Sequence, residues 1–118
     1  MNEVKKLAVV VDDERTIVLL VASLLRMERF EVETASDGEE AWKKIQEFHP
    51  CLVISDFNMP GKNGLWLFRK TRDEFPEISF VLMTGKAEWE IADLGIKNVI
   101  HKPFDIKAFQ TKIKEVLA

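Results

Sequence analysis

The sequence predicts an α/β protein in which helices cover both faces of a parallel sheet, a doubly wound arrangement of three layers. Apolar runs at residues 7–11, 52–54 and 79–83 have the length and composition of strands buried on both faces. A segment with helical periodicity follows each strand. Strands that alternate with helices favour parallel pairing through right-handed crossovers. We therefore expect five β-α units in one domain that spans residues 1–118.

The first two units differ in their strands. Residues 7–11 are continuously apolar, whereas residues 31–35 alternate between polar and apolar types, which predicts an edge strand. The following helices have apolar positions spaced as on one helical face. These positions are Ile17, Leu20, Val21, Leu24 and Leu25 in the first helix, and Ala41, Trp42, Ile45 and Phe48 in the second.

The last three units have strands at residues 52–55, 79–83 and 98–101. Their helices are expected at residues 65–72, at residues 86–94 and after Asp105, which can cap the last one. The helix over 86–94 is short and weakly amphipathic. The predicted buried face of the last helix comprises Ile106, Phe109, Ile113, Val116 and Leu117.

Composition excludes several classes of protein. The net charge of −3 is too small to suggest a nucleic-acid or membrane surface, so we expect neither partner. No apolar run is long enough to span a bilayer, and Met1-Asn2-Glu3 leads directly into a strand without a signal peptide. Cys51 is the only cysteine and is expected to be a small core residue. A cytoplasmic location fits best.

Polar residues gather where four of the strands end. They are Asp12, Asp13, Asp56, Thr84 and Lys102. Each alone has an ordinary explanation as a helix cap, a turn residue or a surface lysine. Together they occupy the edge where open α/β sheets bind ligands.

This group of side chains suits phosphoryl transfer. Three close carboxylates repel one another, and oxygen ligands favour a hard cation such as Mg²⁺, which also recruits phosphate oxygens. A carboxylate such as Asp56 can act as the nucleophile and form an aspartyl-phosphate. Lys102 supplies a cation and Thr84 a hydroxyl donor for the phosphoryl oxygens.

Four motifs carry a resemblance to a known family. Asp12-Asp13-Glu14, Asp56-Phe57-Asn58-Met59-Pro60-Gly61 with Gly64, Thr84-Gly85 and Lys102-Pro103-Phe104 follow strands one, three, four and five. In this order they closely resemble a two-component response-regulator receiver domain, over essentially the whole chain. The resemblance implies a flavodoxin-like sheet with strand order 2-1-3-4-5.

The resemblance also implies roles for individual residues. Asp56 would be the phosphoacceptor, with Lys102 and Thr84 contacting the phosphoryl group. Asp13, Asp56 and the backbone carbonyl of Asn58 would bind Mg²⁺, with Asp12 nearby or acting through water. A histidine kinase or histidine phosphotransfer protein would donate the phosphoryl group, and a downstream effector would bind the face of helix four, strand five and helix five. The Lys102–Pro103 peptide bond is expected to be cis.

Two departures from the family pattern concern the face of helix four, strand five and helix five, which we call the output face. Val99 stands where the family usually has an aromatic residue, and Lys102 comes 18 positions after Thr84, an interval shorter than is typical. We therefore expect a short or poorly formed fourth helix, and we hypothesise that phosphorylation is retained while the conformational relay or the choice of partner differs.

Two other functions remain open. A degenerate receiver would keep the fold as a phosphorylation-independent interaction module, which Val99 and the short fourth helix favour. An enzyme on the same fold is the other alternative, as a phosphatase or a flavin carrier. A haloacid-dehalogenase-like phosphatase would need a second Asp where this chain has Asn58, and no glycine-rich phosphate loop follows the first strand.

Overall fold

A computed structural model of the protein describes residues 6–117, so Met1-Asn2-Glu3, the basis for expecting no signal peptide, lies outside the described residues. Strands and helices alternate as predicted. The strands are β1 (Lys6–Val11), β2 (Phe30–Ala35), β3 (Leu52–Asp56), β4 (Ser79–Thr84) and β5 (Val99–His101). The helices are α1 (Arg15–Met27), α2 (Gly38–Phe48), α3 (Gly64–Glu74), α4 (Glu88–Ile91) and α5 (Ile106–Leu117).

The five strands form one parallel sheet in the order β2-β1-β3-β4-β5. This confirms the strand order that the resemblance implied. β2 lies at one edge, as its alternating sequence predicted, and pairs with β1 from Lys6 opposite Phe30 to Val11 opposite Ala35. β3 lies at the centre, and all five of its residues are buried.

Two apolar cores cover the two faces of the sheet. Because successive side chains of a strand point to opposite faces, Ala8 and Val10 belong to one core and Val9 and Val11 to the other. Helices α1 and α5 complete the first core, and α2 and α3 complete the second. This gives the three layers expected from the sequence.

The fourth helix is short, which confirms the prediction from the 18-residue interval. It has four residues, and a 3-10 turn at Ala92–Leu94 continues it. Ile91 faces inward, whereas Trp89 is 81% exposed. A helix of one turn has little surface to bury against the sheet, so α4 is weakly anchored.

Several burial predictions were wrong. Cys51 is exposed, because β3 begins only at the next residue and Cys51 belongs to the loop before it. Four residues assigned to buried helical faces are exposed as well; these are Leu20, Phe48, Ile106 and Leu117. In α1 the buried stripe is rotated, so that Val18 and Ala22 face the sheet instead of Leu20. The other three lie at helix ends, where a helix diverges from the sheet.

Among residues 6–117, no helix combines the length and apolar character needed to cross a membrane.

Helix α5 offers a test of the core assignment. Phe109 is 1% exposed within the first core, whereas Ile106 on the same helix is exposed. We expect Phe109→Ala to lower the free energy of unfolding by about 3–5 kcal/mol, because it leaves a cavity. Ile106→Ala should change that free energy by less than about 0.5 kcal/mol. Urea denaturation of both variants measures the difference, and equal losses would contradict the assignment.

Candidate phosphoryl and metal site

Parallel pairing brings four strand ends to one edge of the sheet. Val11 pairs with Ser55, and Asp56 pairs with Met83. The last residues of these strands and the residues that directly follow them therefore meet at this edge. The structure places Asp12, Asp13, Asp56, Thr84 and Lys102 there, as the sequence predicted.

Three carboxylates form a compact cluster at this edge. One oxygen each of Asp12, Asp13 and Asp56 lie within 4.8 Å of one another. Asp12 and Asp56 are 1% and 8% exposed, whereas Asp13 is open to solvent. Asp12 Oδ1 accepts a hydrogen bond of 2.9 Å from the Glu14 amide, which fixes its orientation. The cluster therefore has a buried side and an open side.

Lys102 joins the two buried carboxylates. Its Nζ donates to Asp12 Oδ2 at 2.8 Å and to Asp56 Oδ1 at 3.1 Å. Its backbone amide donates to the Thr84 carbonyl at 2.8 Å, and the Lys102–Pro103 bond is cis as expected. Burial alone would lower the pKa of Lys102, but its hydrogen bonds to Asp12 and Asp56 and the charges of both carboxylates hold that pKa above its ordinary value. Lys102 is therefore a permanent cation at the site.

For Asp56, burial has the largest effect on the pKa. Burial raises the pKa of Asp56, and the negative charge of Asp12 adds to the rise, while the hydrogen bond from Lys102 opposes it. A further cation among the carboxylates would favour the ionised form. The site therefore accommodates more positive charge than Lys102 provides.

Thr84 and Asn58 reach the site in different ways. Thr84 is buried at the end of β4, and its hydroxyl accepts a 3.0 Å hydrogen bond from the Lys86 amide. Asn58 is exposed two residues beyond β3, in the loop of residues 57–63, which we call the acceptor loop. The role of its carbonyl as a metal ligand stays a prediction.

Sequence reasoning assigned no structural role to several residues that surround Asp56. Ser55 Oγ donates to the Asp56 carbonyl at 2.9 Å; a serine inside an apolar strand needs such a partner, and this was the available signal. Asn63 caps α3 by accepting from the Trp66 amide at 3.0 Å. The Gly64 amide donates to the Phe57 carbonyl at 2.9 Å, and this contact has no local sequence signal.

The donor set fits Mg²⁺. It consists of oxygen atoms alone, from three carboxylates on two loops, which is the chemistry preferred by this cation. Asp12, Asp13 and Asp56 are the residues that could hold it. When bound, Mg²⁺ would supply positive charge next to Asp56.

The doubly wound sheet with this acidic edge is the architecture of CheY-like domains. The sequence model for the response regulator receiver domain matches residues 8–114, and the chain belongs to this family. It is therefore a receiver domain of the kind used in two-component signalling.

Relatives of known structure and sequence agree with this assignment. The chain is 37% identical to the chemotaxis protein CheY1 of Helicobacter pylori over 116 residues, which cover 92% of this chain and 94% of that protein. A CheY-like receiver domain protein of Methanospirillum hungatei superposes with a TM-score of 0.88 at 29% identity, covering 97% of this chain and 94% of the other.

Longer regulators contain a similar domain. The chain is 32% identical to the Bacillus subtilis regulatory protein PhoP over 95% of its own length, but over only 48% of PhoP. The chain spans between about a third and a half of the length of such longer relatives, from 31% to 48%.

Removal of the Lys102 cation tests the electrostatic balance of the cluster. We expect Lys102→Met to lower the free energy of unfolding by about 1–3 kcal/mol without Mg²⁺, because two buried carboxylates lose their common hydrogen-bond donor. Exposed Lys107→Met is the control and should have almost no effect. Thermal unfolding in EDTA measures both, and an unchanged Tm for Lys102→Met would contradict the balance described.

The exposed carboxylate should show the reverse behaviour. Asp13→Asn removes one of three mutually repelling charges, so its Tm in EDTA should equal or exceed that of the wild type. Mg²⁺ should raise the Tm of the wild type, since a ligand stabilises the state that binds it, and should raise that of Asp13→Asn much less. Asp73→Asn, at an exposed site on α3, should keep the full Mg²⁺ response. A full response by Asp13→Asn would exclude Asp13 as a ligand.

Proposed function

We propose that the domain accepts a phosphoryl group on Asp56 in the presence of Mg²⁺. The donor would be a histidine kinase or a histidine phosphotransfer protein. The single observation that carries the proposal is Lys102 Nζ, hydrogen-bonded to both Asp12 and Asp56 within a cluster of three carboxylates. A nucleophile with an adjacent cation and an oxygen-only metal site is what in-line phosphoryl transfer needs.

The transfer can be written with the residues present. A carboxylate oxygen of Asp56 attacks the phosphorus of a phosphohistidine, a P–O bond forms, and the P–N bond breaks with its electron pair going to the imidazole. Lys102 stabilises the negative charge on the phosphoryl oxygens. Asp12 and Asp13, with Asp56 and the Asn58 carbonyl, would hold Mg²⁺, which supplies charge neutralisation at the same place. The domain would thus catalyse only its own phosphorylation and dephosphorylation.

The response to phosphorylation would begin at Thr84. Its hydroxyl is bonded to the Lys86 amide, so a move toward a phosphoryl oxygen would exchange this contact for a charge-assisted one. The α4–β5–α5 face would then change its affinity for a downstream effector protein or domain. On this face α4 is one turn long and Val99 is half-buried against the second core, so we propose that the relay differs from one led by an aromatic residue.

The relay has its own test. Structures with and without a beryllofluoride phosphoryl mimic should show little repacking around α4 and Val99, because no large side chain is present there to swing inward. A concerted inward rotation in β5 together with a shift of α4 would contradict the proposed difference.

The setting of this activity is also part of the proposal. Residues 1–118 would act as one domain in the cytoplasm, where ATP-dependent kinases find their nucleotide. Neither nucleic acid nor membrane would be a direct partner, since no strong basic surface is expected at a net charge of −3.

Phosphorylation of Asp56 can be measured directly. Wild type and Asp56→Asn are incubated with Mg²⁺ and acetyl phosphate, and the intact masses are compared. The wild type should gain one phosphoryl group, whereas Asp56→Asn and the wild type in EDTA should gain none. If the wild type binds Mg²⁺ but gains no mass, the phosphorylation-independent interaction module becomes the better description.

A further inference from the structure

Helix α2 approaches the acceptor loop most tightly at Gly38, where it meets the backbone of Lys62. Gly38 is its first residue and is buried. A Cβ atom placed on Gly38 would lie 2.3 Å from the carbonyl oxygen of Lys62 and 3.0 Å from its carbonyl carbon. Lys62 is exposed and contributes no group to the carboxylate cluster. The contact nevertheless sets how closely α2 and the acceptor loop approach each other.

Capping hydrogen bonds hold the α2 side of this contact. Asp37 Oδ1 accepts from the Glu40 amide at 2.8 Å, and Glu40 Oε1 accepts in turn from the Ser36 amide at 2.7 Å. This reciprocal capping fixes the first turn of α2. The opposing atom is a backbone carbonyl, so no side-chain rotation can relieve a collision.

The same loop is held close to Asp56 at its other end. A Cβ atom on Gly64 would lie 2.3 Å from the Asp56 carbonyl oxygen, so α3 begins directly against the acceptor residue. Within the loop, Met59 is buried in the second core. Trp42 of α2 and Trp66 of α3 meet edge to face with ring centroids 6.5 Å apart. Helix α2, the loop and α3 therefore pack as one unit.

We infer that Gly38 is a positioning residue for the acceptor loop, and hence for Asp56 and the Asn58 carbonyl. This inference rests on the proposed function and adds α2 to the elements that build the site. Non-bonded carbon and oxygen atoms need about 3.5 Å, so a side chain at position 38 would push the loop or α2 aside by about 1 Å. Misplacement by about 1 Å is enough to reduce the function of a preorganised site up to about 100-fold.

The test compares Gly38→Ala with Ile45→Val. Ile45 is fully buried on the same helix, and its truncation weakens the core but adds no atom next to the loop. Two quantities are measured for each variant: the Mg²⁺ dissociation constant by calorimetry, and the amide NMR resonances of residues 56–64 in Mg²⁺-free protein. We expect Gly38→Ala to bind Mg²⁺ at least about 10-fold more weakly and to shift the loop resonances, and Ile45→Val to do neither.

A second pair of variants serves if Gly38→Ala does not fold. Asp37→Ala removes a negative charge and the cap of α2, whereas Asp37→Asn removes the charge but keeps a good cap. If α2 positions the loop, Asp37→Ala should shift the loop resonances and weaken Mg²⁺ binding more than Asp37→Asn does. Identical behaviour of these two variants, or a folded Gly38→Ala with wild-type resonances and affinity, would overturn the inference.

The two proposals fail differently. A wild-type protein that binds no Mg²⁺ and accepts no phosphoryl group contradicts the proposed function. The resonances of the metal-free variants still report whether Gly38 positions the loop, because they depend on neither metal nor phosphate.

Discussion

Two carboxylates that are almost fully removed from water need a permanent counter-charge, and Lys102 provides it. Its Nζ lies 2.8 Å from Asp12 and 3.1 Å from Asp56, although the three residues lie at the ends of three different strands. The bridge crosses the sheet from β5 to β1, so it exists only if β3 and β4 lie between them in parallel register. The charge balance of the site therefore depends on the strand order.

The two apolar cores keep this register. Every strand that separates Lys102 from Asp12 is buried on both faces, so a slip would expose apolar side chains or bury charged ones. The loops at the carboxyl ends are then free to hold polar groups, because they contribute little to the cores. The sheet and its two cores therefore stabilise the domain, and the loops at the edge carry the polar groups of the candidate site.

The sequence predicted the parts of this arrangement that depend on strong local patterns. Apolar runs ending in Asp12, Asp56 and Thr84 identified the buried strands and the edge where they end. Weaker patterns gave wrong predictions of burial at the surface. Leu20 fits an apolar helical stripe, but the stripe of α1 that packs against the sheet is rotated and contains Val18 instead. Cys51 precedes an apolar run but lies outside the strand.

Contacts between distant segments could not be predicted in this way. The approach of Gly38 to Lys62 joins residues that are far apart in the chain, and it involves only backbone on one side. Neither residue type nor spacing carries a signal for it. The same holds for the second hydrogen bond of Lys102, since a lysine at a strand end is consistent with one partner, with two or with none.

The two edge strands of the sheet, β2 and β5, affect how the protein behaves at high concentration. A free strand edge can pair with another molecule and start aggregation. Along β2, charged Glu31 and Glu33 alternate with Phe30 and Val32, while β5 is only three residues long. The charged residues of β2 and the short length of β5 both disfavour pairing with a strand of another molecule. The sheet therefore resists growth into intermolecular assemblies from either side.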